Sequence, residues 1–268
     1  MRKLLYSLLL TYILISCSKY PQTPPISTGN YCRLKDVRNE NNKKISSYEY
    51  STDNKINKII NFDTTTGNVQ AYALFDYGEK LIVKNTYYSN DLLKYSEYYT
   101  LNDSSWASSK ITGTGINSDT TYFEYDSHGY LIKSINKISS DTYGTLNYTY
   151  DEGKRTLITS GSTPHSIDSI KYEYYDFKIP QNIKALLYNK YEIFGDPIDE
   201  EIFLGKNTDL ALKSRIIRYT DDDFHIVDYE YSYEFDSNNN LTKIKGTFGY
   251  KNIFVIHSFE MNFQVECQ

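Results

Sequence analysis

Cysteine is scarce in this 268-residue chain, with three residues at positions 17, 32 and 267. None lies within two to four residues of another, which excludes a thiolate metal finger, and three cannot staple a small disulfide-rich fold. Histidine is equally sparse. His128, His165, His225 and His257 are scattered without ligand spacing, so no metal site is expected. Asp221-Asp222-Asp223 lacks the spaced oxygens and the glycine of a calcium loop and reads as a solvated turn. Excess positive charge is missing as well. Lys and Arg number 29 against 34 Asp and Glu, for a formal charge of −5 and no basic cluster, which argues against nucleic acid as a partner. No nucleophile–base motif or glycine-rich phosphate loop occurs, so neither catalysis nor a cofactor is expected. Long apolar runs are absent after residue 15, and no segment sustains a helical period; only the irregular stretch 181–203 leaves room for a helical turn.

What the chain has in abundance is tyrosine, 29 residues of it, set in short alternating segments. The stretch from Tyr122 to Ile135 is the pattern. Residues up to Asp126 alternate between two faces, Ser127-His128-Gly129 has the form of a three-residue hairpin loop with glycine at positive φ, and a second strand follows. Steps of 25 residues reach related text around Tyr50-Ser51, Asp76-Tyr77-Gly78, Asp151-Glu152-Gly153 and Asp176, and a shifted copy runs from Tyr231 to Ile244, where Asn239 takes the place of Gly129. Gly78, Gly129, Gly153 and Asn239 are therefore the turn-defining positions. Turn signals recur about every 12 residues, so each period holds two strands and two turns. The expected fold is all-β: an antiparallel up-and-down meander of roughly 14–16 strands, which either curls into a closed barrel, the favoured form, or splits into stacked sheets.

The faces are cleanest late in the chain. Tyr229, Tyr231, Tyr233 and Phe235 point one way, and Asp228, Glu230, Ser232, Glu234 and Asp236 the other. In the last segment Val255, His257, Phe259, Met261, Phe263 and Val265 oppose Ser258, Glu260, Asn262, Gln264 and Glu266. Such a period of two describes antiparallel sheet wetted on one side. Aromatic residues run along whole strands instead of forming two end girdles, which favours a barrel with its apolar face inward over one that spans a bilayer. Glu124 and Glu173, with lysines such as Lys133 and Lys171, are expected to form cross-strand pairs on the polar face.

Tyr125-Asp126, Gly129 and Leu131 match a Tyr-Asp-x-x-Gly-x-Leu core, with Tyr130 where an arginine is usual, and the unit resembles the YD repeat of Rhs-type proteins. The beginning of the chain is similar to a lipoprotein leader. Arg2 and Lys3 precede an apolar run from Leu4 to Ile15, too short to cross a bilayer, which ends in Leu14-Ile15-Ser16-Cys17. Cys17 would carry the lipid, and residues 18–30, with Pro21, Pro24 and Pro25, read as a tether. Together these features resemble a Bacteroidetes-type family of YD-repeat-like lipoproteins of unknown function, and that resemblance implies a porin-like antiparallel barrel. The organisation expected is a signal peptide at 1–16, lipidated cysteine and tether at 17–30, and one barrel domain at 31–268. Removal of the leader takes Arg2 and Lys3 with it and leaves a charge of −7. The address would be the cell envelope, anchored to the outer membrane. The absence of acidic residues just after Cys17 favours the periplasmic side over the cell surface.

Two local features remain. Trp106, the sole tryptophan, lies in the polar stretch Ser104–Ser108, either as a ring for stacking on a sugar or partner or as one folded onto the barrel rim. Cys32 and Cys267 flank the whole folded region, and a disulfide between them would require the first and last strands to be neighbours. Two functions fit. One is a non-enzymatic binding protein for glycans or amphipathic ligands held in a tyrosine-lined interior. The other is a scaffold with a filled core that docks a protein partner.

Overall fold

The computed structural model describes residues 32–113, 118–138, 141–161, 167–178, 210–219, 226–237, 240–250 and 253–267. Sixteen strands are defined: β1 Cys32–Asn39, β2 Lys44–Tyr50, β3 Ile56–Phe62, β4 Val69–Tyr77, β5 Leu81–Tyr88, β6 Leu93–Leu101, β7 Ala107–Thr112 and β8 Asp119–Tyr125. The second half comprises β9 Leu131–Ile138, β10 Asp141–Asp151, β11 Lys154–Gly161, β12 Ile167–Lys178, β13 Leu210–Tyr219, β14 Ile226–Phe235, β15 Leu241–Tyr250 and β16 Ile253–Cys267. Each strand pairs with its sequence neighbour and β16 returns to β1, so the meander closes as the sequence predicts. A side-chain bond crosses that seam, from Asn262 Nδ2 to the Asn39 carbonyl at 3.0 Å. Closure leaves no strand edge to be capped.

Alternation fixes which residues meet. Ala73, Thr86 and Tyr95 follow one another across β4, β5 and β6, and Ile170, Ile217 and Val227 across β12, β13 and β14. The same set, followed around the ring, contains Ile82, Tyr99, Tyr48, Tyr172, Tyr229, Tyr231, Ile244 and Met261, all buried. In a ring of strands the face that loses water is the inner one, so the apolar face turns inward, as expected. Its tyrosines pack on one another and on phenylalanine: Tyr229 stacks on Phe248 at 5.4 Å, and the Arg215 guanidinium sits over the Tyr229 ring at 4.5 Å. Charge is admitted where it is paired. Glu97, 5% exposed, holds Lys84 at 2.6 Å and Lys110 at 3.8 Å. Burial pushes the Tyr48 hydroxyl up to about 12, against a smaller opposing effect of its bond with Ser46.

The β8–β9 turn is closed by backbone hydrogen bonds. Asp126 and Gly129 close a type I turn, with Gly129 N donating to Asp126 O and Asp126 N to Tyr130 O, and Gly129 takes φ +89°. Gly153 is also left-handed, at +77°. Gly78 differs from these two glycines. It sits in the β4–β5 turn without positive φ, and what limits it is the Leu81 carbonyl, 3.1 Å from where a Cβ would stand. Asn239, Cys17, His165, His225, residues 221–223 and the stretch 181–203 lie outside the described residues.

Candidate functional site

One rim of the barrel is built by the repeated unit, and this is where the tyrosine-plus-acid pattern has its physical meaning. A tyrosine at or near the end of β2, β4, β8 and β14 reaches back to the preceding strand. Tyr50 Oη donates to Leu34 O at 2.9 Å, Tyr77 to Ile56 O at 2.8 Å, Tyr125 to Ala107 O at 2.6 Å and Tyr233 to Leu212 O at 2.7 Å. Each hydroxyl thus satisfies a carbonyl at the start of the preceding strand and ties two hairpins together. The acid that follows organises the turn. Asp126 Oδ1 accepts from the amides of His128 and Tyr130, both at 2.9 Å, as Asn102 Oδ1 does from Ser104 and Trp106 at 3.0 Å. Partial burial opposes ionisation of Asp126, but those amide bonds outweigh it and hold its carboxyl below the ordinary value.

Trp106 belongs to this rim. Its ring lies directly on Gly129, where an added Cβ would stand 2.1 Å from Cη2, and its centroid is 5.3 Å from that of Tyr125. Tyr130 repeats the arrangement one unit on, over Gly153 and 4.9 Å from Tyr150, and Lys55 does so with its ammonium 5.2 Å from the Tyr77 ring. Trp106 therefore fills a repeat position that elsewhere holds tyrosine or lysine, and the ring is half-buried against the next turn.

The polar face carries the concave feature. A cleft of about 830 Å3 is lined by residues of β12 to β16 together with Glu40 of the β1–β2 turn. Register builds it as two rows. Glu173, Ser214, Glu230, Thr247 and Ser258 stand opposite one another across five strands, and Ser232, Lys245 and Glu260 form a parallel row across three. The backbone of Tyr231, Gly246 and Phe259 runs between the rows and also lines the cleft. Gly246 is required there for packing. The Phe259 ring occupies the inner side where a Cβ would come within 2.1 Å of Cζ, so only glycine fits.

The electrostatics are those of a charged, wetted surface. Lys213 lies 3.8 Å from Glu173, which corrects the expected partner Lys171: Lys171 is on the same strand as Glu173, and the cross-strand neighbour supplies the cation. Glu124 and Lys133 are opposite one another as expected, at 3.9 Å. The Lys243 ammonium, 2.8 Å away, holds the Glu260 carboxyl below its usual range, and the Glu234 carboxylate raises Lys245. Four carboxylates (Glu40, Glu173, Glu230, Glu260) face two ammonium groups (Lys213, Lys245), with four serine and threonine hydroxyls among them and Tyr175 beside them. Such a lining suits polyhydroxylated or cationic ligands, which exchange hydrogen bonds with carboxylates and hydroxyls. Sequence reasoning placed Glu230, Ser232, Ser258 and Glu260 on a polar face but did not bring them together with Lys213, Ser214, Lys245 and Thr247. The unused signal was the absence of any apolar residue on that face of β14 and β15 between Glu230 and Thr247.

Cys32 opens β1 and Cys267 ends β16, strands adjacent in the closed ring. Among the described residues no cluster of three metal-ligating side chains occurs.

No family model and no curated protein matches the sequence. The structure is similar to a porin-like protein from Bacteroides uniformis, with a TM-score of 0.65, 14% identity and coverage of 88% of this chain and 95% of that one. It is also similar to a porin-like protein from Bacteroides vulgatus, with a TM-score of 0.55, 16% identity and coverage of 87% and 98%. At that identity the likeness is one of fold, a closed antiparallel barrel over nearly the whole length of each.

Proposed function

We propose that this protein is a non-enzymatic binding protein of the cell envelope, anchored through Cys17, and that its ligand site is the polar cleft on β12–β16. The 830 Å3 cleft with its two cross-strand rows carries the reading. Its size suits a short glycan, its hydroxyls and carboxylates match sugar hydroxyls, and its acidic excess favours amino-sugar substituents. The inner tyrosines expected to line a ligand cavity are packed away: Tyr99, Tyr229 and Tyr231 are each at most 5% exposed, and Tyr229 stacks on Tyr231 at 6.4 Å. A conducting pore fits poorly with such packing on the inward face. Acid–base chemistry is equally unsupported by the cleft's carboxylates, since the Lys243 ammonium holds Glu260 below its usual range and Glu173 is exposed beside Lys213. The address in the envelope is drawn from the leader and from the porin-like neighbours.

A glycan array followed by calorimetry tests the cleft. Binding of an amino-sugar oligosaccharide that weakens tenfold or more in Glu230→Gln, with the fold intact by circular dichroism, is the expected result. An array with no signal above background, or a ligand indifferent to Glu230→Gln and Ser232→Val, refutes the assignment. Anchoring is tested by metabolic labelling with an alkyne fatty acid, which should mark the wild type and not Cys17→Ala.

A further inference from the structure

The outer surface is two-sided. Around β13 to β16 it is charged, with Lys213, Glu230, Glu234, Lys243, Lys245 and Glu260 alternating with the buried face. Around β4 to β8 apolar side chains gather among the outward positions, which they share with Asp76, Asn85, Ser96, Ser109 and Thr120. Val83, Tyr98 and Ile111 stand directly opposite one another on β5, β6 and β7, with Leu74 on β4 and Tyr122 on β8 beside them. Their inward neighbours Ala73, Ile82 and Tyr99 are buried, whereas Leu74, Tyr98, Ile111 and Tyr122 are 38–44% exposed. Val83, Tyr98 and Ile111 form one apolar row, and Leu74 and Tyr122 extend it along the diagonals at its two ends.

The geometry points to a lipid surface as the partner of this band: the barrel lies on its side against the bilayer and presents the polar cleft elsewhere. Three observations select that partner. First, the charges on β13 to β16 forbid a spanning barrel, which must be apolar all round, yet they leave one side free to rest in the headgroup region. Second, the band is edged by ammonium groups on aromatic rings: Lys58 lies 5.1 Å from the Tyr72 ring and Lys137 5.4 Å from the Tyr122 ring. Apolar side chains with lysine stems and tyrosine hydroxyls at their border match the boundary between acyl chains and anionic headgroups. Third, only 14 residues, 18–31, separate Cys17 from β1. Fully extended they reach about 50 Å, so an anchored chain keeps its barrel at high effective concentration beside the membrane. That third point rests on the anchoring proposed above; the first two do not.

The test places single tryptophans in the full chain. Trp106→Tyr removes the native signal and is compatible with the fold, because Tyr130 fills the equivalent seat over Gly153. In that background Tyr98→Trp and Ile111→Trp report on the band and Lys171→Trp on exposed β12. Vesicles of phosphatidylethanolamine and phosphatidylglycerol with brominated acyl chains should quench the two band probes at least threefold more than the β12 probe, with a blue shift. Equal quenching of all three, or none, overturns the proposal. A blue shift at Tyr98→Trp that grows with protein concentration without vesicles also overturns it, by assigning the band to a second copy. The same measurements with Cys17→Ser separate the two ideas. Preferential quenching that survives at higher vesicle concentration supports the band even where fatty-acid labelling fails, and labelling without preferential quenching leaves an anchor but no docking face.

Discussion

At the scale of single residues the turn glycine has a second duty that its sequence context does not disclose. The φ of +89° at Gly129 was legible from Ser127-His128-Gly129, since a three-residue hairpin loop needs a left-handed residue. Trp106, whose ring covers the glycine, is 23 positions earlier, and nothing local to either residue announces the contact. Sequence logic alone makes asparagine a mild replacement, because asparagine tolerates positive φ. The structure predicts otherwise. Any Cβ at this position meets the indole, so Gly129→Ala and Gly129→Asn should each cost about 1–3 kcal/mol through combined overpacking and strain. A double-mutant cycle with Trp106→Ala, read from urea midpoints, should recover part of that loss; strict additivity would mean that the ring does not constrain the glycine. Ser105, left-handed at φ +61° in the preceding turn, shows that the conformation itself is open to other residues.

At the scale of the element, alternation was enough to find the strands and their faces, because a period of two survives wherever one side is wet. Tyr229, Tyr231 and Tyr233 were assigned to the apolar face from the sequence, and the first two are buried with Tyr233 half-buried. What alternation cannot supply is the acceptor of a tyrosine hydroxyl. Tyr125 bonds Ala107, 18 residues away, because a register shift between Glu124 and Tyr125 and the adjacent strand's offset aim the ring at the start of β7. Comparable shifts precede Tyr50, Tyr150 and Phe235, so the offset is part of the hairpin unit. Tyr125→Phe should therefore cost about 1 kcal/mol, the worth of one hydrogen bond with its buried carbonyl left unpaired. Tyr122→Phe, on the exposed face of the same strand, should stay within about 0.5 kcal/mol of wild type. Equal midpoints for both variants in chemical denaturation would show that the rim bonds do not hold neighbouring hairpins together.

At the scale of the whole molecule, closure could be argued from many alternating strands joined by short turns, whereas the cleft could not be read, since it depends on the relative register of five strands and a turn. The ring makes its tyrosines respond to alkali together. Burial raises Tyr48 to about 12, and burial followed by the charge of Asp53 raises Tyr77 to about 12, with Tyr125 and Tyr233 displaced in the same direction. A folded value above the ordinary 10 means stability fully present below pH 10 and lost as pH rises from 10 through 12. Phenolate absorbance should accordingly appear in two stages, exposed rings first and the buried set with unfolding; one smooth titration centred at 10 would contradict the packing. The last prediction concerns the seam. Cys32 begins β1 and Cys267 completes β16, the two strands that meet when the meander closes. If Cys17 carries a lipid they are the remaining thiols in the chain, and oxidation between them would link the first strand to the last. Protein isolated from an oxidising compartment should contain no alkylatable thiol at either position until reduced, and a nonreducing peptide map should yield a linked pair. A loop of this length has a nominal value of about 4–5 kcal/mol in the chain-entropy view, an upper bound for what reduction removes. Free thiols at both positions in fully oxidised material would leave closure to backbone hydrogen bonds alone, and Cys32→Ser would then unfold at the same denaturant concentration as wild type.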